Sequence, residues 1–223
     1  MSAPAVKICG LVRAEDAAEA ARLGADYLGA IFAGGPRQIV PAAARAILEA
    51  ARDAASGPRP LGVGVMGTQA PDAIARIADE AGLDVVQLHA DPDAAAVEAV
   101  RRVYPGRVWA VLRIAGADVP PQAADLFAAA DAVVLDAKVD GHQLGGTGVA
   151  LAWGDVADAL APLRGRTPLV LAGGLRAENL GDAVRALLPD VVDVSSGVER
   201  SPGVKDPQRL AAFLAAARSA TSS

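Results

Sequence analysis

One cysteine and two histidines are all that the 223-residue chain has of the residues that build disulfides and soft-metal clusters. Cys9 alone can neither close an intramolecular disulfide nor form a cysteine zinc cluster, and His89 and His142 are too few for a multi-histidine metal site. No metal is expected, and a single cysteine suits a reducing compartment. Long apolar runs are also missing: Gly, Pro or charge breaks each after about five to seven residues, and a bilayer span needs about 20. Met1–Val6 has no basic region leading into an apolar stretch, so no secretory signal is read there. The cytoplasm is the expected location, with no membrane partner. Positive charge is not in excess: the formal net charge is −5, which argues against nucleic acid as a general partner. An anionic small molecule stays compatible, because local loops decide its binding. There is no Walker or nucleophile-elbow motif.

What the chain does have is a rhythm. Hydrophobic residues make up 52% and charged residues 21%, a globular balance that rules out disorder. Short apolar runs alternate with Ala-rich amphipathic stretches. The runs are Val6–Cys9, Tyr27–Phe32, Leu61–Met66, Val85–His89, Val108–Ile114, Ala132–Ala137, Pro168–Ala172 and Val191–Ser195. Each has the length and continuous hydrophobicity of a strand buried on both faces. Between them the pattern predicts helices over Ala14–Leu23, Pro41–Ala54, Pro71–Ala81, Asp93–Val103, Pro121–Ala129, Gly154–Leu163, Ala177–Leu188 and Pro207–Ala217. Several open on Pro or an acidic residue, as first turns prefer. Gly24, Gly82 and Gly106 follow helical stretches as left-handed caps would. No short-period repeat stands out beyond this βα rhythm. Eight units in one undivided chain predict an α/β fold, a single (β/α)₈ TIM barrel domain over residues 1–223; a doubly wound sheet, with fewer strands, is the rival.

Active sites of such barrels lie at the C-terminal ends of the strands, and there the apolar runs give way to polar residues. Strand seven ends in Gly173-Gly174, and strand eight in Asp193-Val194-Ser195-Ser196-Gly197. Adjacent loops of this kind suit a phosphate held by backbone N–H groups, hydroxyls and a helix N-terminus; singly, such glycines only make tight turns. Cys9 and Asp136 end strands one and six, with strands seven and eight between them around the ring. A ligand anchored by its phosphate would lie between a thiol and a carboxyl, one able to take a proton while the other gives one. Reference pKa values near 8.5 and 4 make the thiolate and the protonated carboxyl both minor forms at neutral pH. A lone strand cysteine can also be a small buried apolar residue. Lys7 and Cys9 share a face of strand one, as Asp193 and Ser195 do of strand eight. A Lys7–Asp193 ion pair is therefore expected, either structural or setting the field at Cys9. Arg37, after a Gly/Pro-rich turn, is a carboxylate clamp or a solvated surface residue. Gln87 and His89 could shape the pocket. The irregular stretch Lys138–Ala152, with Gly146 inside it, would follow strand six onto the same face.

Taken together these strand ends resemble phosphoribosylanthranilate isomerases of tryptophan biosynthesis. The matching pieces are Lys7–Leu11, Gly24–Gly29, Pro36-Arg37, Val85–His89, Leu135–Lys138, Gly145–Gly148, Leu171–Leu175, Asp193–Glu199 and Pro202–Asp206. They fall in order over nearly the whole chain, and together are highly specific. The resemblance implies a TIM barrel catalysing a metal-free, cofactor-free Amadori rearrangement. N-(5-phosphoribosyl)anthranilate becomes 1-(2-carboxyphenylamino)-1-deoxyribulose 5-phosphate. It implies Asp136 as the acid that opens the ribose ring and Cys9 as the base that removes the C2 proton. It also implies that Arg37 meets the anthranilate carboxylate, that Gly174, Ser195 and Ser196 meet the phosphate, and that Asp193 supports substrate binding. Val149 and Ala152 stand where the family commonly has Lys and Asp, and Ala90 replaces the common Gly after His89.

Three rivals are weighed. A histidine-pathway isomerase would carry an aspartate in place of Cys9. Pentose phosphate epimerases need metal-binding histidines. A non-catalytic barrel that binds a phosphorylated ligand would not need the Cys9–Asp136 pair. The expected partner is the small phosphoribosyl substrate, bound by a monomer, with a homodimer as the alternative.

Overall fold

The computed structural model describes residues 3–114, 118–137 and 153–220. Eight parallel strands close into a barrel in chain order. They are β1 (Ala5–Ile8), β2 (Tyr27–Ile31), β3 (Leu61–Met66), β4 (Val85–Leu88), β5 (Arg107–Ile114), β6 (Ala132–Ala137), β7 (Leu169–Ala172) and β8 (Val191–Val194). The helices between them are α1 (Ala14–Arg22), α2 (Pro41–Ala54), α3 (Pro71–Ala81), α4 (Ala94–Arg101), α5 (Ala123–Ala129), α6 (Trp153–Arg164), α7 (Ala177–Leu187) and α8 (Pro207–Ser219). Every expected strand and helix is present, with ends shifted by a few residues at most. The apolar runs are continuous because each strand buries both faces. Val63, Val85, Val111, Val134, Val170 and Val191 pack inside the barrel around Trp109, while alternate residues such as Ile8, Leu28, Val86, Leu112 and Leu171 pack against the helices.

Proline opens α2, α3 and α8 at a position whose N–H has no intrahelical partner. Asp93 and Asp206 cap α4 and α8 through their carboxylates. Gly24 and Gly82 take the left-handed conformation expected of them. Gly106 does not. Helix α4 ends five residues earlier, and Gly106 is needed for space: a Cβ there would lie 2.3 Å from the Tyr104 hydroxyl. One element was not expected. After β8 a 3₁₀ turn, Ser196–Val198, leads into an antiparallel ribbon of β9 (Glu199–Ser201) and β10 (Val204–Lys205).

The structure also holds a repeat of two βα units. Asp26, Asp84, Asp131 and Asp190 each stand just before an even-numbered strand. Each accepts, through Oδ2, the backbone N–H of the preceding odd strand: Val6 at 2.8 Å, and Gly62, Val108 and Leu169 at 2.7 Å. Arginines in the last turns of the even helices answer them. Arg52, Arg101 and Arg164 pair with Asp84, Asp131 and Asp190 and also donate to carbonyls at the ends of α3, α5 and α7. Arg218 of α8 donates to the Leu23 carbonyl after α1. These aspartates ring the face opposite the strand C-termini, where residues serve stability. Replacing Asp84 by alanine strips the buried Gly62 N–H and Arg52 of their shared acceptor. The expected loss is about 1–3 kcal/mol in urea unfolding, with any activity of the folded protein unchanged. A matching loss of kcat would place Asp84 in the catalytic machinery instead.

Candidate active site

The barrel alternation points Cys9, Ile31, Val65, Gln87, His89, Val134, Asp136, Ala172, Asp193 and Ser195 into one cavity of about 380 Å³ at the strand C-termini. That volume suits a small metabolite. Gly173, Gly174, Ser196 and Gly197 also line it. Arg37 lies outside this lining, and Gly146 falls outside the described residues together with the rest of 138–152.

Register builds the floor. Lys7 of β1 pairs with Asp193 of β8, and its ammonium, fully buried, lies 2.6 Å from Asp193 Oδ2 and 3.0 Å from Gln87 Oε1. The expected ion pair is therefore present, directly below Cys9. It spends the Gln87 carbonyl and one Asp193 oxygen on Lys7. The Gln87 amide N–H groups and Asp193 Oδ1 remain. Burial opposes the Lys7 charge, but Asp193 and Cys9 outweigh it and hold its pKa above the ordinary lysine value. Burial pushes the Cys9 thiol up; the Lys7 ammonium pulls it down, Asp193 pushes it up, and Lys205 pulls it down, with burial prevailing. Cys9 thus holds its proton more tightly than an ordinary thiol. Its place depends on Gly29, which faces it from β2: a Cβ at Gly29 would lie 2.8 Å from the sulfur and 3.0 Å from Cys9 Cα.

Across the cavity, Arg113 of β5 brings its Nε to 4.0 Å from Asp136 Oδ2 and donates to the His89 carbonyl at 2.6 Å. Burial, and then the Arg113 guanidinium, hold the His89 imidazole below its usual pKa range, so His89 is a neutral wall. Asp193 Oδ1, His89 Nδ1 and Ser195 Oγ are buried with no hydrogen-bond partner among the described residues. Such groups are costly to leave unpaired in a core. Their convergence on one cavity fits a polar ligand.

The glycine-serine loops behave as a pair. Gly173 and Gly174 both adopt left-handed φ, +94° and +62°. Asn179 ties this loop to the first turn of α7, donating to the Gly174 carbonyl at 3.2 Å and accepting the Arg176 N–H at 2.8 Å. The second loop presses against the first: a Cβ on Gly197 would lie 2.0 Å from the Leu175 carbonyl oxygen. Sequence reasoning missed Asn179 and Arg113, and gave no role to Gly29 although it stands in a quoted motif. It also gave no role to Glu199 and Lys205, though both stand in the quoted motifs. Glu199 decides the position of Arg37: it accepts Arg37 Nε at 2.8 Å and Nη2 at 2.6 Å. Arg37 packs over Gly10 beside Ser195. Glu199 occupies one edge of the guanidinium, and among the described residues three of its five N–H groups have no acceptor.

A family model described as N-(5'phosphoribosyl)anthranilate (PRA) isomerase matches residues 6–216. The chain belongs to this family. An N-(5'-phosphoribosyl)anthranilate isomerase of Pseudomonas fluorescens is 39% identical over 219 residues, covering 98% of this chain and all of the relative. The crystal structure of phosphoribosyl anthranilate isomerase from Thermus thermophilus shares 40% identity at a TM-score of 0.79, covering 96% of this chain and 98% of that one. A family structure in complex with reduced 1-(o-carboxyphenylamino)-1-deoxyribulose 5-phosphate shares 29% identity at a TM-score of 0.79, over 97% and 99% of the two chains. Of the motif residues that the structure describes, Cys9, Gln87, His89, Asp136, Gly173, Gly174, Asp193, Ser195, Ser196 and Gly197 line the cavity. Among the described residues no helix is long and apolar enough to cross a membrane.

Proposed function

We propose that this chain, as one catalytic barrel over residues 1–223, converts N-(5-phosphoribosyl)anthranilate to 1-(2-carboxyphenylamino)-1-deoxyribulose 5-phosphate. The observation that carries the reading is the placement of Cys9 and Asp136 in one cavity, flanking the paired β7 and β8 loops, in a member of this family. The phosphate sits on the N–H groups of Gly173, Gly174, Ser196 and Gly197, with the Ser195 hydroxyl as a further donor. Asp136 protonates the ribose ring oxygen, and the C1–O bond breaks to give an iminium. Cys9 removes the C2 proton, its electron pair forms the enolamine, and tautomerisation yields the ketone. Asp193 Oδ1 accepts from a ribose hydroxyl, and Gln87 and His89 shape the wall. Gly146, which lies outside the described residues, is assigned to substrate binding. The setting is cytoplasmic and the working unit is a monomer, with a homodimer as the alternative; light scattering of the pure protein separates the two. Loss of the anthranilate fluorescence of the substrate on adding enzyme to freshly made substrate tests the reaction. No fluorescence change beyond the uncatalysed decay would leave a phosphosugar-binding barrel without this activity.

Two outcomes follow. Sulfate soaked into a crystal is expected between the β7 and β8 loops; density for the anion elsewhere on the barrel face, with those loops empty, would remove the phosphate assignment. Arg37→Met is expected to raise KM more than it lowers kcat, because a carboxylate contact made in both ground and transition states is uniform binding. The loss is on the order of 1.5–3 kcal/mol, as for a charged hydrogen bond. Steady-state kinetics with KM unchanged would take Arg37 out of the site.

A further inference from the structure

Lys205 lies on the ribbon after β8, outside the cavity lining, and the proposed chemistry does not use it. It is among the most buried side chains of the protein, at 1% exposure. Its Nζ donates to the Cys9 carbonyl at 2.6 Å, the Ser195 carbonyl at 3.1 Å and Glu199 Oε1 at 2.9 Å. An ammonium has three N–H groups, and each is directed at a separate element of the site. The first acceptor is the main chain of the residue assigned as base. The second is the main chain of the serine loop. The third is the carboxylate that holds Arg37 on both Nε and Nη2.

A buried lysine is an expensive staple. An apolar side chain of similar volume fills such a space without desolvating a charge. The geometry instead uses the point charge to gather three acceptors that belong to three chain segments: residue 9 after β1, residue 195 after β8, and residue 199 on β9. The ribbon is itself anchored, since the Lys205 N–H donates to Asp16 Oδ2 of α1 at 3.0 Å, and Glu199 Oε1 accepts the Gly203 N–H at 3.3 Å across the ribbon turn.

We propose that Lys205, with Glu199, is a positioning residue that sets the Cys9 thiol, the serine loop and the Arg37 guanidinium as one unit. The base, the phosphate seat and the carboxylate clamp then keep their mutual distances when the substrate binds. This rests on the roles proposed above for Cys9 and Arg37. Among the charged groups facing Cys9, Lys205 also acts with Lys7 to favour the thiolate, against Asp193 and burial.

The test uses the full-length protein and two variants. Glu199→Gln keeps the side chain's size and leaves Lys205 a neutral acceptor, but removes the carboxylate fork for Arg37. Its KM is expected to rise about tenfold or more, the loss of a charge-assisted contact, with the iodoacetamide reaction of Cys9 unchanged. Combined with Arg37→Met it should add nothing further to KM. Lys205→Met should raise KM, lower kcat, weaken competitive inhibition by inorganic phosphate and slow Cys9 alkylation at fixed pH. A purely structural lysine predicts a lower Tm with all four readouts at wild-type values well below Tm, and that result overturns the proposal. If Lys205→Met does not fold, the double-variant cycle decides: additive KM effects of Glu199→Gln and Arg37→Met overturn it. Alkylation requires no substrate, and wild-type turnover is measured separately, so failure of the isomerase assignment is distinguishable from failure of the positioning role.

Discussion

Asp136→Asn lowers kcat by about 10² to 10⁴, the usual worth of general acid catalysis, and leaves inhibition by inorganic phosphate unchanged. The expectation follows from what the carboxyl must do and where it stands. Asp136 is on β6, opposite Arg113 on β5 and Ala172 on β7 in the strand register. Its side chain enters the cavity on the far side of the β7 and β8 loops from Cys9. Asparagine fits the same volume, but an amide cannot deliver a proton to the ribose oxygen. The proposed phosphate seat lies on the loops of two other strands, β7 and β8, and does not include residue 136. Ring opening becomes the slow step, so deuterium at C2 of the substrate shows a suppressed isotope effect on kcat. Steady-state and single-turnover fluorescence measure both quantities. Near-wild-type kcat in this variant would end the acid assignment, and the ring proton would have to come from a water or from Lys138, which lies outside the described residues.

The sequence disclosed those parts of the site that lie on strands. Period-two alternation carries Lys7 and Cys9, Gln87 and His89, Val134 and Asp136, and Asp193 and Ser195 inward in pairs, so polar residues at the ends of apolar runs necessarily meet. The Lys7–Asp193 pair was legible for the same reason, because strands one and eight must be neighbours once the barrel closes. Contacts made off the strands were not legible. Arg37 and Glu199 are separated by 162 positions, and their meeting depends on a five-residue-scale ribbon whose Glu199-Arg200-Ser201 run has no strand-like alternation of its own. The aspartate–arginine ring at the opposite face is equally silent, since each repeat of two βα units contributes one Asp and one Arg to an otherwise unrelated text. Gly106 was misread because a glycine required by a nearby tyrosine ring and one required by a helix cap are the same letter. Spatial neighbours decide between them.

The pH profile of kcat/KM gives the second large effect, with a sign opposite to first intuition. The proposed catalysis needs Asp136 protonated and Cys9 ionised, whereas burial pushes the Cys9 pKa up and so favours the thiol. The productive form is therefore one tautomer of the singly protonated pair, and its share of that state does not depend on pH. Burial strengthens the hold of the sulfur on that proton. The Lys7 ammonium and, after ring opening, the iminium charge of the substrate reduce this bias. Raising the pH through the Cys9 ionisation removes the last proton of the pair and leaves no acid. Thus kcat/KM is flat through neutrality and falls on the alkaline side, although the group that titrates there is the base. The iodoacetamide reaction of Cys9, which needs only the thiolate, rises over the same pH interval. The two curves are expected to share one midpoint, above the ordinary thiol value. Cys9→Ser should lower kcat by at least about 10², abolish alkylation, reveal or enlarge a C2 isotope effect, and remove the alkaline limb from whatever activity remains. If Cys9→Ser kept the alkaline limb at the wild-type midpoint, the titrating group would be something other than the thiol, and Cys9 would have to be dropped as the base.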